Sequence, residues 1–127
     1  YNAFYGRPSV ADDLTRTTWS RLLDPAEPMH VLLAEHEGTV VGLAHFIFHR
    51  TTTAITNTCY LQDLFTAPEQ RGRGIARALI EAVYARAAAA GAKRVYWQTH
   101  ESNATAQRLY DRIAERSGFI VYRMMIA

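Results

Sequence analysis

Gln70-Arg71-Gly72-Arg73-Gly74-Ile75-Ala76 sits between an apolar, strand-like stretch and an amphipathic, helix-like one, and the reading of that junction decides the fold. Glycine carries no Cβ, so backbone at Gly72 and Gly74 is able to approach a ligand closely. A helix start adds unpaired N–H groups and the positive end of the helix dipole. Together these make an anion-binding cradle, and phosphate is the usual anion.

Working outward, the chain reads as alternating helices and strands. Upstream, Cys59 to Thr66 reads as a strand, preceded by a polar loop over Thr51 to Thr58. Met29 to His36 and Val40 to His49 read as a hairpin turned at Glu37-Gly38. In the second of these strands Ala44, Phe46 and Phe48 alternate with His45, Ile47 and His49, so one face suits a core and the other lines something else. A first helix is expected from Ser9 as N-cap to about Leu23, burying Val10, Leu14 and Leu22. Downstream, Ile75, Leu79, Val83 and Ala87 recur at spacing four with Ile80 beside them, and Gly91 ends that helix. Lys93 to Thr99 reads as a strand, Ser102 to Arg116 as a second amphipathic helix, and Phe119 to Ile126 as a last strand. The order α-β-β-β-α-β-α-β predicts a mixed sheet with helices packed on it, in the α/β or α+β class.

At 127 residues the chain reads as one domain, 1–127, with 49% apolar and 20% charged residues as in ordinary globular proteins. No stretch approaches the roughly 20 apolar residues of a membrane span. A single cysteine, Cys59, leaves no internal disulfide and no cysteine-based metal site, which points to a cytoplasmic setting. No metal site is expected, since His45 and His49 lie on a strand and not at helical ligand spacing. The net charge of +2 is too small for nucleic-acid binding, and the local cluster Arg71, Arg73 and Arg77 suits a small anion. The opening Tyr1-Asn2-Ala3-Phe4-Tyr5 resembles the middle of a domain, so an N-terminal piece is expected to precede it.

Three phosphate motifs compete for the glycine-arginine run. A P-loop ends in Gly-Lys-Ser/Thr, which is absent here. A dinucleotide fingerprint needs Gly or Ala where Arg77 stands. The remaining pattern, Arg/Gln-x-x-Gly-x-Gly/Ala, is present as Arg71-Gly72-Arg73-Gly74-Ile75-Ala76 and resembles the acyl-CoA motif of the GNAT superfamily of N-acetyltransferases. Tyr60-Leu61-Gln62-Asp63-Leu64-Phe65-Thr66 resembles the family strand that splays from its neighbour and receives the pantetheine arm. Asn103, Ala106 and Tyr110 match the family's Asn-x-x-Ala-x-x-x-Tyr spacing, and Trp97-Gln98-Thr99-His100-Glu101-Ser102-Asn103 is similar to the yeast-type subgroup that acetylates histones, polyamines or D-amino acids.

The resemblance covers roughly Val31 onward. It implies a mostly antiparallel, twisted sheet with splayed central strands and flanking helices. Two departures stand out. Gly118-Phe119 follows Tyr110 by eight residues where the family commonly has four, an excess of about one helical turn. The first family strand has no counterpart before Phe4, which would leave a sheet edge open to pairing between chains and so to a homodimer.

The resemblance further implies acetyl-CoA as acetyl donor and direct transfer to a primary amine, whether of a small amine, a polyamine, an amino acid or a protein lysine. Arg71, Gly72, Arg73, Gly74, Ile75, Ala76 and Arg77 would hold the pyrophosphate, and Asn103 the pantetheine. Backbone N–H groups at Leu64, Phe65 and Thr66 would face the thioester. Tyr110 would serve as general acid toward the CoA sulfur. Asp63, or alternatively Glu101, would act as base, with His45, His49, His100, Phe46, Phe48 and Trp97 as candidate walls of the acceptor pocket. Cys59 has no neighbouring histidine in sequence and reads as a buried free thiol, not a nucleophile. The alternative from another class is a CoA-binding module without catalysis.

Overall fold

The computed structural model describes residues 12–126. The chain divides into two compact units, Tyr1–Trp97 and Gln98–Ala127. The first holds α1 (Asp12–Leu23), β1 (Met29–His36), β2 (Thr39–His49), β3 (Thr58–Thr66), α2 (Ile75–Ala89) and β4 (Val95–Tyr96). A single turn of 3-10 helix, Pro68–Gln70, lies between β3 and α2. The expected helix start at Ser9, Val10 and the stretch around Phe4 lie outside the described residues.

The four strands form one open sheet in the order β1-β2-β3-β4. β1, β2 and β3 pair antiparallel, and β4 joins β3 in parallel. The β1–β2 hairpin turns through Glu37 (φ 51°) and Gly38 (φ 79°). Two successive positive φ values mark a type I′ turn, whose twist matches that of the flanking strands.

The alternation along β2 sorts its side chains as its residues suggest. Ala44 and Phe46 are buried on the side that faces α2, together with Leu61 and Cys59 from β3. From the helix come Leu79, Ile80, Val83 and Ala87, the spacing-four stripe. Gly42 marks the closest approach. A Cβ there would lie 3.0 Å from the Phe65 carbonyl oxygen, 3.1 Å from Ile75 Cγ2 and 3.2 Å from Leu79 Cδ1. α2 ends in a Schellman arrangement: the Gly91 N–H donates to Ala88 and the Ala92 N–H to Ala87, with Gly91 at φ 84°.

Several expectations are corrected. Leu14 on α1 is 52% exposed and not buried, because only one side of this helix meets β1. β4 comprises Val95 and Tyr96 alone, and not Lys93 to Thr99, since its ladder with β3 ends at the pair Tyr60–Tyr96.

The second unit holds α3 (Ala104–Ile113), shorter at both ends than the predicted Ser102 to Arg116. Asn103 is its N-cap, accepting the Ala106 N–H at 3.2 Å on its side-chain oxygen. Past its end, Arg116 folds back as a two-pronged donor to Asp111 at 3.1 Å, which holds the Asp111 carboxyl below its ordinary range. The extra spacing before Gly118 therefore lies in the connection after the helix and is not an additional helical turn. Phe119 to Ile126 forms no strand, and its apolar side chains are largely exposed. Alternation and β-propensity describe a side chain's fit to a pleated surface, and a strand exists only where a neighbouring backbone pairs with it.

Two predictions follow from this packing. Gly42→Ala forces α2 away from β2 and is expected to cost about 1–3 kcal/mol, read as a lower urea midpoint at unchanged slope. His30 stacks on Phe46 at 5.3 Å, and burial, then Arg86, hold its pKa below the ordinary 6.5. Its contribution is complete above 6.5 and lost as pH falls through the lowered folded value. His30→Gln should therefore flatten the acid limb of a stability-versus-pH curve.

Candidate active site

The face of the sheet away from α2 carries the polar groups. A bulge makes this possible. Phe46 pairs with Leu61 and His45 with Asp63, leaving Gln62 as an extra residue in β3. Strict alternation would send Tyr60 and Asp63 to opposite faces, three positions apart. The inserted residue instead puts Asp63 opposite His45 while Tyr60 stays opposite Ile47. The same insertion lets Leu61 and Leu64 pair with Phe46 and Ala44, the two buried residues of the α2 side.

Two histidines on this face are held by different partners. His45 Nδ1 lies 3.1 Å from Asp63 Oδ2, with the two side chains 26% and 20% exposed. His49 uses both ring nitrogens: Nδ1 donates to the Arg50 carbonyl at 2.8 Å, and Nε2 meets the Tyr96 hydroxyl at 2.7 Å. A carbonyl only accepts, so the neutral His49 ring carries its proton on Nδ1 and accepts from Tyr96. Tyr96 stacks on Tyr60 at 4.9 Å between centroids, with the Arg94 guanidinium 5.3 Å from the Tyr96 ring. Burial, then Tyr96, then Asp63 hold the Tyr60 phenol above its usual range.

Beside the His45–Asp63 pair, α1 closes a cavity of about 170 Å³ lined by Thr18, Leu22, Met29, Ile47 and Gln62. A larger cavity of about 360 Å³ opens on the α2 side, where His30, Phe48 and Asn57 meet Arg86 and Ala90. Those helix residues lie 12 and 16 positions beyond Gly74, roughly 18–24 Å along α2 at 1.5 Å per residue, so this larger space is remote from the glycine run. Phe46 and Phe48 contact each other and His30 on that side. On the His45 face of the sheet the stacked rings are Tyr60 and Tyr96, and neither lines the 170 Å³ cavity.

The edge of β3 supplies the second half of the site. β4 pairs only with Cys59 and Tyr60, so Leu61 through Thr66 run on with no described strand along that edge. Leu64, Phe65 and Thr66 lie in this stretch. The Thr66 hydroxyl and the Gln70 side-chain oxygen are buried with no hydrogen-bond partner among the described residues. Arg71 Nε donates to the Thr66 carbonyl at 3.3 Å, tying the glycine run to the strand end.

In the run itself Gly72 (φ 80°) and Gly74 (φ 77°) are left-handed, and a Cβ at either would meet nothing within 4 Å. Space is therefore not the reason for glycine at these positions. The reasons are the backbone conformation and an open surface over it. Gly74 is the N-cap of α2 and no side chain caps the helix, so the N–H groups of Ile75, Ala76 and Arg77 have no side-chain cap and no intrahelical acceptor. Arg73 is exposed, and Arg77 Nε donates to Glu81 at 3.0 Å on the helix surface.

Asn103 and Tyr110 stand seven residues apart on the α3 side of the second unit, with Tyr110 partly buried. Asn103 spends one amide oxygen lone pair on its cap, which leaves the NH₂ group of that amide for a ligand. Glu101 is exposed in the turn before α3, where its carbonyl accepts from Gln107 at 2.8 Å. His100 in the same turn is bonded to Ser102 at 2.7 Å. Cys59 is fully buried and burial pushes its thiol up to about 11, a poor nucleophile at neutral pH. Among the described residues no three histidine, cysteine or acidic side chains form a metal-holding group.

Comparison with known proteins identifies the family. The model of the acetyltransferase (GNAT) family matches residues 2–114. The D-amino-acid N-acetyltransferase HPA3 of Saccharomyces cerevisiae is 34% identical over 113 residues, covering 87% of this chain and 70% of the relative. Among solved structures, a probable acetyltransferase superposes with a TM-score of 0.83 at 24% identity, covering 100% of this chain and 85% of the other. An AAC(6′)-Iy complex with a CoA-linked bisubstrate analogue gives 0.81 at 20% identity, covering 94% and 84%. The structural likenesses establish the fold, the family model and the yeast relative establish descent, and the chain belongs to the GNAT family of acetyl-CoA-dependent N-acetyltransferases.

Proposed function

We propose that this N-acetyltransferase acts on the primary amine of a small molecule, with a free amino acid as the first candidate. The observation that carries the reading is the 170 Å³ cavity beside Asp63 and His45. It is smaller than the roughly 300–1,000 Å³ of drug-sized pockets, so it suits an amine and a short side chain. The similarity to a yeast D-amino-acid N-acetyltransferase points the same way.

The residues present fit the donor. The left-handed glycines under open space, the uncapped start of α2, and the orphaned Thr66 hydroxyl and Gln70 oxygen all await polar partners at the end of β3. Residues 71–77 would hold the pyrophosphate through backbone N–H groups and arginine charge. The β3 edge over Leu64 to Thr66 would take the pantetheine as an added strand, with Asn103 donating to it. Acetyl-CoA, when bound, supplies an activated acetyl group and a thiol leaving group. Transfer to an ammonium acceptor forms one C–N bond, breaks one C–S bond, returns one proton to solvent and places one on sulfur.

Two groups of this chain handle those protons. Tyr110 would protonate the sulfur. Of the two candidate carboxylates, Asp63 lines the cavity while Glu101 is exposed in its turn, which favours the Asp63 side of the sheet for deprotonating the amine.

The test is thiol release from acetyl-CoA against D- and L-amino acids, polyamines, an aminoglycoside and a lysine peptide, with acetylated products identified by mass. Turnover fastest with amino acids is expected. Preference for the peptide or polyamine would overturn the acceptor, and CoA binding without turnover on any amine would leave a non-catalytic module. Tyr110→Phe should lower turnover roughly 10²-fold, the scale of general acid catalysis, while CoA binding measured by calorimetry persists. Gly74→Ala should weaken CoA binding about tenfold, which corresponds to 1.4 kcal/mol; an unchanged Kd would remove the run from the donor site. Cys59→Ala should turn over normally, and its inactivation with the fold retained would revive an acyl-cysteine route.

A further inference from the structure

We infer that His45 is the group that takes the proton from the acceptor amine, and that Asp63 acts through His45 as its positioning residue. The inference rests on the acetyltransferase reading and goes beyond it by moving the base from the carboxylate to the imidazole.

Geometry separates the histidines of this face. His49 has both nitrogens committed, one to the Arg50 carbonyl and one to the Tyr96 hydroxyl. His45 has one nitrogen committed: its Nδ1 is bonded to Asp63 Oδ2 at 3.1 Å, and no described residue hydrogen-bonds its Nε2. A carboxylate accepts and does not donate, so the neutral His45 ring keeps its proton on Nδ1 and its lone pair on Nε2. The ring also lines the 170 Å³ cavity assigned to the amine. A base held in one tautomer by a partly buried carboxylate is an arrangement suited to general base chemistry.

The bulge at Gln62 gains a purpose from this. It brings Asp63 into register with His45; were Gln62 paired in the ladder instead of bulged, Asp63 would fall opposite Ala44 and its carboxylate would point to the α2 side. The proton step balances simply: neutral His45 and an ammonium become imidazolium and a free amine, whose lone pair is then available for attack. The imidazolium returns its proton to solvent, which reaches a ring about a quarter exposed.

The ionisable groups on the face of this ring are Asp63 and Tyr60 on β3; His30 on β1 is stacked on Phe46 toward α2, and α1 contributes the neutral Thr18 and Leu22. The experiment compares wild type, His45→Asn and Asp63→Asn in the full chain, as kcat/KM against pH with the best amine of the panel. CoA affinity and the far-ultraviolet dichroism serve as folding checks. Asparagine at 45 keeps a donor toward Asp63 and removes the base. It is expected to lose about 10²-fold or more at neutral pH and to recover as pH passes the acceptor's own pKa, where the amine arrives neutral. Asp63→Asn is expected to lose less and to move the acid limb of the profile to lower pH, because a carboxylate stabilises imidazolium. A merely structural role for Asp63 would lower the profile without moving the limb.

Wild-type rates in His45→Asn, or a loss equal at every pH, overturn the inference while the acetyltransferase reading stands. A wild-type protein that acetylates none of the amines overturns both. If His45→Asn fails the folding checks, the limb of Asp63→Asn decides alone: a shift supports the pair and an unmoved limb refutes it.

Discussion

β3 has two neighbours and treats them unequally, and the rest of the molecule depends on that inequality. Toward β2 it pairs from Thr58 to Thr66, with one bulge; toward β4 it pairs at two residues only. The full ladder holds β3 in the sheet and carries the core residues Cys59 and Leu61 into contact with α2. The short ladder ends at the pair Tyr60–Tyr96, and among the described residues no strand runs beside β3 beyond it. Unpaired strand edges are ordinarily hazards for aggregation. Here the edge leads through the turn Pro68–Gln70 into the glycine run at the start of α2.

The two faces of the sheet divide stability from chemistry. On the α2 side Ala44, Phe46, Leu61, Leu79 and Val83 form a buried apolar core, and Gly42 is glycine because helix and strand approach to 3.0–3.2 Å around its missing Cβ. That face tolerates little change of volume. On the other side the contacts are polar, directional and partly open to water: His45 with Asp63, His49 with Tyr96, Tyr96 with Tyr60. Protein hydrogen bonds of this kind add little net stability, but they set which nitrogen of each ring bears a proton, and that is a functional property.

Much of this was legible in the chain. The glycine-arginine junction, the hairpin at Glu37-Gly38 and the spacing-four stripe on α2 are local signals, written within one or two turns or a single strand, and the structure reproduces each of them. Phe119 to Ile126 shows the converse: it has the composition of a strand and forms none, because pairing is a property of two segments. The stacking of Tyr60 on Tyr96 follows from a parallel register between residues 36 positions apart that no local pattern announces.

The amino-acid sequence by itself determined the family, the glycine-arginine run before α2 and the candidate residues, because these depend on residue type at short spacing. The tertiary structure alone decided which of five histidines lines a cavity with a carboxylate on one ring nitrogen and no described hydrogen-bond partner on the other. That outcome turns on one inserted residue, Gln62, which shifts Asp63 across the sheet. A bulge is a cooperative result of ladder hydrogen bonds and core packing on both neighbouring strands, and no alternation read along a single strand contains it.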